Sequence, residues 1–230
     1  MLTALLALSG AGCGGTVPPQ ERAPYGGAEE LPERLEGHTV VVGDPDAPLT
    51  VRIYEDPRCP YCKEYELTGA APVLRGLTRK RQVQTEYVLA SFLDDRLGGD
   101  GSKRAVNALR AALEVNKFVE YHAVLYENQP AEGVDGFTTE FLLELADRVD
   151  GLRSPAFDAA VESMKYRDFV TLSQLAYDQA GADGRGPGTP SATVNGMLVP
   201  PDSGVLLDGE SFARLIRGIQ LDPGSLAEHS

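Results

Sequence analysis

Basic residues are scarce in this sequence. Its 230 residues include 21 lysines and arginines against 34 aspartates and glutamates, which gives a formal net charge of -13 and a pI of about 4.7. An acidic surface repels the phosphate backbone of nucleic acids. The one basic cluster, Arg79-Lys80-Arg81, is too short to oppose that repulsion and is expected at a solvated helix end or turn. The sequence therefore argues against nucleic acid as a partner.

Metal-ligating residues are also few. Among the three cysteines, Cys59 and Cys62 form a single Cys-x-x-Cys pair. A structural zinc site takes four ligands, commonly from two such pairs, and a second pair is missing. The three histidines are scattered along the chain: His38, His122 and His229. No glycine-rich phosphate-binding loop follows a predicted strand, so the sequence implies neither a metal nor a nucleotide cofactor.

The N-terminal segment lacks the length to span a bilayer, which takes about 20 apolar residues. Residues 1–12 are apolar from Leu2 to Leu8 and then small, which is typical of the end of a signal peptide and its cleavage site. No lysine or arginine precedes Arg22, so the positive start of a usual signal peptide is missing. We interpret residues 1–12 as a signal peptide and expect the protein to be exported.

Cys13 directly follows this segment. Small residues before a cysteine resemble the signal of bacterial lipoproteins, in which that cysteine is lipidated and becomes the first residue of the mature chain. Ala11 and Gly12 match that pattern, while Gly10 stands where leucine is usual. The alternative is an ordinary secretory signal beside an incidental cysteine. Residues 13–37, rich in glycine, proline and glutamate, are predicted to form a flexible tether.

The stretch DPRCPYCKEYE places Cys59 after a predicted strand and before a helical pattern. Pro60 suits the first helical position, because its missing N–H would be unpaired there anyway. The free N–H groups and dipole of a helix N-terminus stabilise a thiolate, and Arg58 adds a neighbouring positive charge. We predict a redox centre in which Cys59 exchanges disulfides and Cys62, one turn along, resolves the mixed disulfide. A purely structural disulfide is the alternative, but closing so small a loop adds little stability.

Acidic residues flank the cysteines on both sides. If they lie close to the thiols, they raise the thiol pKa. Glu64 and Glu66 are predicted to be solvated surface charges. Glu55 and Asp56 remain candidates for tuning the thiol pKa or for relaying a proton.

Hydrophobic periodicity predicts the secondary structure around the motif. Short β-rich runs at His38–Val42 and Leu49–Tyr54 are separated by turn residues, and a third strand is predicted from Val83 to Ala90. Helical spacing follows Cys59 to about Leu77. The cysteine pair therefore lies inside an α/β pattern.

A long helical block interrupts that pattern. Residues 102–180 carry only helical patterns, including one that begins with Ser154 as cap and Pro155 in the first turn. Ala192–Val194 and Met197–Val199 then flank Asn195-Gly196, which is the strongest short hairpin pattern. An amphipathic helix in DGESFARLIRGIQ closes the chain.

The strand, the CPYC motif, the helical block and the late GTP together resemble the DsbA-like thioredoxin-fold thiol:disulfide oxidoreductases. The resemblance implies an α/β thioredoxin fold with an inserted all-helical domain. KFVEYHAVLYENQP is similar to a segment of the bacterial, often membrane-anchored branch, where His122 would be a packing residue, with a catalytic base as the alternative. The implied domains are a signal peptide (1–12), a tether (13–37), the thioredoxin fold in two parts (38–98 and 182–224), the helical insert (99–181) and a tail (225–230).

GTPSATVNG matches the cis-proline loop of that family and puts the proline at Pro190, preceded by Thr189. A proline has neither an N–H nor a charge, so it can pack beside the disulfide. The backbone of Thr189 is then free to pair with an extended client chain. Pro60 and Tyr61 complete the implied substrate-binding set. A simple turn before a strand is the alternative, since Gly-Pro-Gly also favours a turn.

Two positions depart from the family pattern. Ile53 stands six residues before Cys59, where these proteins often keep a buried acid. Proton transfer from Cys62 would then use Glu55, Asp56 or water. The Pro-Tyr pair between the cysteines is typical of glutaredoxins, whereas the enteric oxidases have Pro-His.

The resemblance implies an extracytoplasmic dithiol oxidase, lipid-anchored through Cys13, that passes the Cys59–Cys62 disulfide to reduced exported proteins. A membrane redox partner would recycle the disulfide, and no other cofactor is implied. One alternative is a reductase or isomerase of the same fold, fed with electrons through a membrane transporter. Another is a non-redox, chaperone-like module that holds extended chains along the Pro190 loop.

Overall fold

A six-stranded mixed sheet lies at the centre of the computed structural model, which describes residues 23–222. Its strands are β1 (Glu33–Glu36), β2 (Thr39–Val42), β3 (Leu49–Glu55), β4 (Val83–Leu89), β5 (Ser191–Val194) and β6 (Met197–Leu198). The strand order is β1-β2-β4-β3-β5-β6, and only β3 and β4 are parallel to each other. Because Glu55 pairs with Leu89, the two central strands finish side by side at the same end of the sheet. The chain leaves β3 there and continues to the cysteines.

Nine α-helices surround this sheet within residues 23–222. They are α1 (Pro60–Leu67), α2 (Ala71–Arg79), α3 (Phe92–Leu97), α4 (Gly101–Leu113), α5 (Phe118–Glu127), α6 (Thr139–Ala146), α7 (Pro155–Glu162), α8 (Arg167–Ala180) and α9 (Gly209–Leu221). Short 3-10 helices lie at Ala28–Glu30, Pro201–Ser203 and Val205–Leu207. The predicted helical block is confirmed, because every element from α4 to α8 is a helix and the block joins β4 to β5.

The strand that leads to the cysteines is buried on both faces. Successive side chains of a strand point to opposite faces, so Ile53 and Glu55 share one face and Tyr54 lies on the other. Ile53 belongs to the main hydrophobic core, whereas Tyr54 packs with Val88 and with Tyr177 of α8. The face that carries Ile53 therefore also carries the buried carboxylate of Glu55.

The helical pattern predicted from Cys59 to Leu77 is two helices rather than one. Gly69 lies at the break between α1 and α2, and its N–H donates to the Glu64 carbonyl at 2.8 Å. A Cβ atom at Gly69 would lie only 2.6 Å from the carbonyl oxygen of Leu206, so the close approach of that segment requires glycine. The predicted hairpin is confirmed, with positive φ at Asn195 (49°) and Gly196 (82°), as a type I′ turn requires.

Residues 23–37, the described part of the predicted tether, are folded onto the domain. The prediction of a flexible tether is therefore wrong for these residues. Glu33–Glu36 forms the edge strand β1 against β2. The N–H of Tyr25 donates to the Arg79 carbonyl at 2.9 Å, and Arg81 Nε donates to the Ala23 carbonyl at 2.7 Å. The guanidinium of Arg81 also lies 3.7 Å from the ring centre of Tyr25. The basic cluster lies at the end of α2 with Arg79 and Lys80 exposed, as predicted, and its two arginines also bind the preceding segment of the chain.

Candidate active site

The cysteine pair lies at the N-terminus of α1, where the chain leaves β3. Cys59 is the residue that precedes the helix, and Pro60 occupies its first turn, as predicted. Cys59 is 5% exposed and Cys62 is fully buried, and both are free thiols in this structure. An incoming sulfur atom therefore has access to Cys59 and none to Cys62.

The two thiols differ in acidity. A hydrogen bond with the Cys62 side chain lowers the pKa of Cys59 to about 7, helped by the Thr189 side chain and the backbone N–H groups of Cys62 and Tyr61, while burial opposes the shift. Burial raises the pKa of the Cys62 thiol well above its usual range, and the nearby Cys59 and Glu55 raise it further. At neutral pH, Cys59 is therefore the readily ionised thiol and Cys62 holds its proton.

Arg58 has its guanidinium in a buried ion pair. Its Nη1 atom donates to Asp94 Oδ1 at 2.9 Å and to the Gly98 carbonyl at 2.8 Å, and Nη2 donates to the Glu132 carbonyl at 3.0 Å. Asp94 compensates the positive charge that the sequence predicts to act on Cys59. The structure gives Arg58 an anchoring role, in which it binds the loop before the cysteines to α3 and the segment after α5.

Asp56 joins the same loop to α3 and α4. Its carboxylate accepts hydrogen bonds from the Ser102 hydroxyl at 2.6 Å and from the backbone N–H groups of Arg58 at 2.9 Å and Leu93 at 3.1 Å. Burial raises the pKa of Asp56 to about 6, although these hydrogen bonds act in the opposite direction. A carboxylate held by three donors is placed to fix the loop, and its role in proton relay stays a prediction.

The Thr189–Pro190 peptide bond is cis, and the loop that contains it faces the cysteine pair, as predicted. The Sγ of Cys59 donates a hydrogen bond to the carbonyl oxygen of Thr189 at 3.3 Å. The N–H of Thr189 has no hydrogen-bond partner among residues 23–222. Tyr61 stands beside this loop with 60% of its surface exposed. The substrate-binding role of these residues stays a prediction, but their backbone and ring are accessible.

Two adjoining cavities follow the loop, and Tyr61 and Thr189 border both of them. The first, about 400 Å³, opens beside Cys59. The second, about 260 Å³, has no charged residue among the described residues that line it. A larger cavity of about 550 Å³ lies between α4 and α8. Neither cysteine lines it, so it is not part of the redox site.

Three buried titratable side chains meet near Cys62, each from a different element. They are Glu55 at the end of β3, Glu66 on α1 and His122 on α5. His122 Nε2 is hydrogen bonded to Glu55 Oε1, and His122 Nδ1 lies 3.8 Å from Glu66 Oε2. Burial lowers the pKa of His122, but the two carboxylates and the hydrogen bond to Glu55 outweigh it and raise the pKa above its ordinary value. The arrangement fits a protonated imidazolium between two carboxylates.

Glu66 is not a solvated surface charge, and that prediction is wrong. It is 2% exposed, and its carboxylate accepts a hydrogen bond from Arg75 Nη1 at 2.7 Å. Residues four apart share a face of a helix, so Glu66 points inward with the buried Cys62. That spacing was visible in the sequence. Glu64, two positions earlier, is exposed as predicted.

Glu55, Glu66 and His122 also form the one set of three side chains in the described part of the chain that could hold a metal ion. Their donor atoms all lie within 4.8 Å of one another. Two cations already balance the two carboxylates, namely Arg75 and the protonated His122. Burial raises the pKa of Glu66 to about 7, so its carboxyl is only partly ionised at neutral pH. A metal ion would add positive charge to a site that already holds two cations, so the geometry favours an ion-pair network.

Gln129 is a site residue that sequence reasoning missed. Its Nε2 donates to the Pro57 carbonyl at 2.7 Å and to the Cys59 carbonyl at 2.9 Å. It follows α5 in the segment KFVEYHAVLYENQP, for which the family resemblance implies a role for His122 and none for Gln129. The side chain fixes the backbone turn that carries Cys59.

The predicted lipidation site, Cys13, and the predicted signal peptide lie outside the described residues. Among residues 23–222, none of the helices is both long and apolar enough to cross a bilayer.

Comparison with solved structures relates the fold to DsbA-type proteins. Oxidised BdbD from Bacillus subtilis has a TM-score of 0.65 at 20% identity, covering 86% of this chain and 98% of that one. Reduced DsbA from Mycobacterium tuberculosis has a TM-score of 0.62 at 21% identity, covering 86% and 96%. MdbA, a thiol-disulfide oxidoreductase from Actinomyces oris, has a TM-score of 0.61 at 20% identity, covering 79% and 88%. No curated protein sequence matches the chain.

The thioredoxin family profile matches residues 35–205, and the chain belongs to that family. The predicted fold class, an α/β thioredoxin fold with an inserted all-helical domain, is confirmed.

Proposed function

We propose that this thioredoxin-family chain is an extracytoplasmic thiol:disulfide oxidoreductase that passes a Cys59–Cys62 disulfide to exported client proteins. The observation that carries the proposal is the difference between the two thiols. Cys59 has a lowered pKa and access to the cleft, while Cys62 is buried and keeps its proton. Disulfides persist in exported compartments, which supports the direction of transfer to clients.

The reaction has two exchange steps. A client thiolate attacks Sγ of Cys59 in the disulfide form, so a client–Cys59 bond forms and the Cys59–Cys62 bond breaks with its electron pair on Cys62, which takes up a proton. A second client thiolate then attacks the client sulfur of the mixed disulfide, and Cys59 leaves as a thiolate. Two client thiols become a disulfide, and the protein returns to the dithiol form. Because Cys59 has a low pKa, its thiolate is a better leaving group than a thiolate of ordinary pKa.

Clients are expected to bind as extended chains along the Thr189–Pro190 loop. The N–H of Thr189 is unpaired in the described structure, and its neighbours Pro60 and Tyr61 present no competing charge. An extended segment can therefore add to this edge by main-chain hydrogen bonds. Such bonds are independent of side chains, which suits a protein that acts on many clients.

A reductase or isomerase is the second candidate, and one observation favours it. The pKa of Cys59 is about 7, which is close to the value of about 7 in thioredoxin and far from about 3.5 in the strong oxidant DsbA. The reduction potential of the pair decides between the roles, because thioredoxin-fold proteins span about -270 to -120 mV. A value near -270 mV, with no oxidation of a reduced client protein, would overturn the oxidase role.

Oxidative refolding of a reduced client protein tests the redox function itself. Cys59→Ala cannot form the Cys59–Cys62 disulfide and is expected to abolish the activity. When the Cys59 thiolate of Cys62→Ala attacks a client that already contains a disulfide, one client sulfur leaves as a thiol and the Cys59–client mixed disulfide should accumulate, because Cys62 is no longer there to break it. Full activity of the Cys59→Ala variant in cells would instead support a non-redox module that holds extended chains.

We further propose that Cys13 is lipidated and anchors the protein at the outer face of the membrane, near a membrane redox partner that reoxidises the dithiol. Radiolabelled palmitate incorporated by cells that express the wild-type chain, but not the Cys13→Ala variant, would support the anchor. If the wild-type protein and the Cys13→Ala variant were retained equally at the membrane, the lipid anchor at Cys13 would be contradicted.

A further inference from the structure

Three stacked side chains form one wall of the cleft beside Cys59. The rings of Phe92 and Tyr177 are nearly parallel, with 8° between their planes and 5.1 Å between their centres. The guanidinium carbon of Arg96 lies 4.5 Å from the centre of the Phe92 ring. The Tyr177 hydroxyl accepts a hydrogen bond from the Gly188 N–H at 3.2 Å. The stack thus connects Arg96 on α3 to the loop that carries Thr189.

Arg96 is the cation of this cleft that has no acidic partner. Within residues 23–222, no carboxylate lies within ion-pair distance of its guanidinium. The other arginine in the lining, Arg185, is neutralised by Asp183, whose carboxylate accepts from its Nε at 2.7 Å. Arg96 is exposed, so its charge is available to a molecule in the cleft.

Glu132 is the remaining charged residue of the lining, and it is also exposed. Nothing in the described structure holds its side chain, since only its carbonyl oxygen is engaged, by Arg58. Arg96, by contrast, is ordered by the Phe92 ring. A guanidinium that is already ordered loses less conformational entropy when it binds a carboxylate in its forked geometry. The cleft is therefore better prepared for an acidic group than for a basic one.

We propose that Arg96 selects client segments that carry an acidic side chain on one side of the reactive cysteine. Cys59 and Arg96 line the same cavity, whereas the adjoining cavity beyond Tyr61 has no charged lining residue. A client chain that crosses Cys59 thus meets a cation on one side only. The inference rests on the proposed redox function and names the class of client that the site prefers.

Cysteine peptides that differ at one position test this selection. Peptides with glutamate, glutamine or lysine two residues before or two residues after the cysteine react with the oxidised full-length protein, and the rate constant of mixed-disulfide formation is measured. We expect glutamate to react about two- to fivefold faster than lysine on one side of the cysteine, which is the range of an exposed ion pair. The other side should show no such preference, and salt at about 1 M should abolish it.

Charge reversal assigns the preference to Arg96. Arg96→Glu should invert the order of the glutamate and lysine peptides. Arg167→Glu is the matched control, because Arg167 is an exposed arginine that lines the separate cavity between α4 and α8, so it changes the net charge equally. Phe92→Leu removes the ring below Arg96 and should weaken the preference without inverting it.

The outcomes separate the two proposals. Exchange with every peptide at the same rate, or the same preference in wild-type and Arg96→Glu proteins, would overturn the selection by Arg96 and leave the redox function standing. Faster reaction of the lysine peptides in the wild type would show that Glu132 dominates and would also overturn it. An absence of exchange with all peptides would overturn the redox function itself.

Discussion

The imidazole Nε2 of His122 is hydrogen bonded to Oε1 of Glu55, although 67 positions separate the two residues in the sequence. Glu55 ends β3, just before the cysteine loop, and His122 lies on α5 of the helical insert. The insert therefore supplies a cation to the buried side of the cysteine pair. The redox site is built jointly by the thioredoxin fold and the helices that interrupt it.

His122→Leu should destabilise the protein strongly. The substitution removes the imidazolium between two buried carboxylates and leaves Glu55 and Glu66 facing each other. Loss of one partner from a buried ion pair costs about 3–5 kcal/mol, measured as the free energy of unfolding in urea at neutral pH. The double variant Glu55→Gln with His122→Leu should recover part of that loss, because it removes one of the two charges. A single variant within about 1 kcal/mol of the wild type would contradict the ion-pair interpretation.

Cys62→Ala should raise the pKa of Cys59. The hydrogen bond from Cys62 is the largest effect that lowers this pKa to about 7, so its loss should move the pKa towards the ordinary value of about 8.5. The pH dependence of the rate of alkylation by iodoacetamide reports the pKa. Cys62→Ser keeps a donor at the same place and is the control. If the alanine and serine variants titrate alike, the helix N-terminus rather than Cys62 determines the acidity.

Asp94→Ala should be far more damaging than Asp95→Ala, although the two residues are adjacent on α3. Asp94 pairs with the buried Arg58 at 2.9 Å and accepts from the N–H groups of Ser102 and Lys103 at the start of α4. Its removal leaves a buried arginine unpaired and should cost about 3–5 kcal/mol. The Asp95–Lys103 pair is exposed, so its loss should cost no more than about 1 kcal/mol. Equal losses in thermal or urea unfolding would argue against the anchoring role of Arg58.

Stability should fall as the pH rises through neutrality. Burial raises the pKa of Glu33 to about 7, although its carboxylate accepts from the N–H groups of Phe118 and Val119. The folded protein therefore holds a proton that the unfolded chain has released, and the stability present at low pH is lost as the pH passes the folded pKa. The raised pKa values of His122, Glu66 and Asp56 act in the same direction, whereas the lowered pKa of Cys59 acts in the opposite direction in the dithiol form.

Glu33→Gln tests that pH dependence, because the amide oxygen still accepts a hydrogen bond but cannot titrate. The variant should remove about 1 kcal/mol of the change in unfolding free energy between about pH 6 and pH 8. Urea unfolding at both pH values, for the wild type and the variant, provides the measurement. An unchanged pH dependence would show that Glu33 is ionised in the folded protein throughout this range.

Features that depend on neighbours in the sequence were predictable. Pro60 after Cys59 indicates a helix start, Asn195-Gly196 indicates a tight hairpin, and the late GTP locates the cis-Pro190 loop. The helix start and the hairpin follow from backbone preferences of a few adjacent residues, whereas the cis-Pro190 loop was implied only by the resemblance to the family. The position of Glu66 was predictable too, since helical spacing places it on the face of Cys62, but its charge favoured the wrong interpretation.

Contacts between distant polar residues were not predictable from one sequence. Periodicity shows which face of a helix is buried, but it does not show which polar group meets that face. The pairing of Arg58 with Asp94, and of Gln129 with the Cys59 carbonyl, depends on how α3 and α5 pack around the cysteine loop. The sequence placed Arg58 near the thiol by adjacency alone, whereas its long side chain reaches another element.

The edge strand β1 determines where the chain can be shortened. A soluble fragment that begins near Glu36 would lack β1, the carboxylate of Glu33 at the start of α5, and the Tyr25 segment bound by Arg79 and Arg81. Such a fragment would expose the unpaired backbone groups along β2, and an exposed strand edge promotes self-association by strand pairing. Recombinant fragments intended for redox measurements should therefore begin before residue 23, so that the sheet keeps its outer strand.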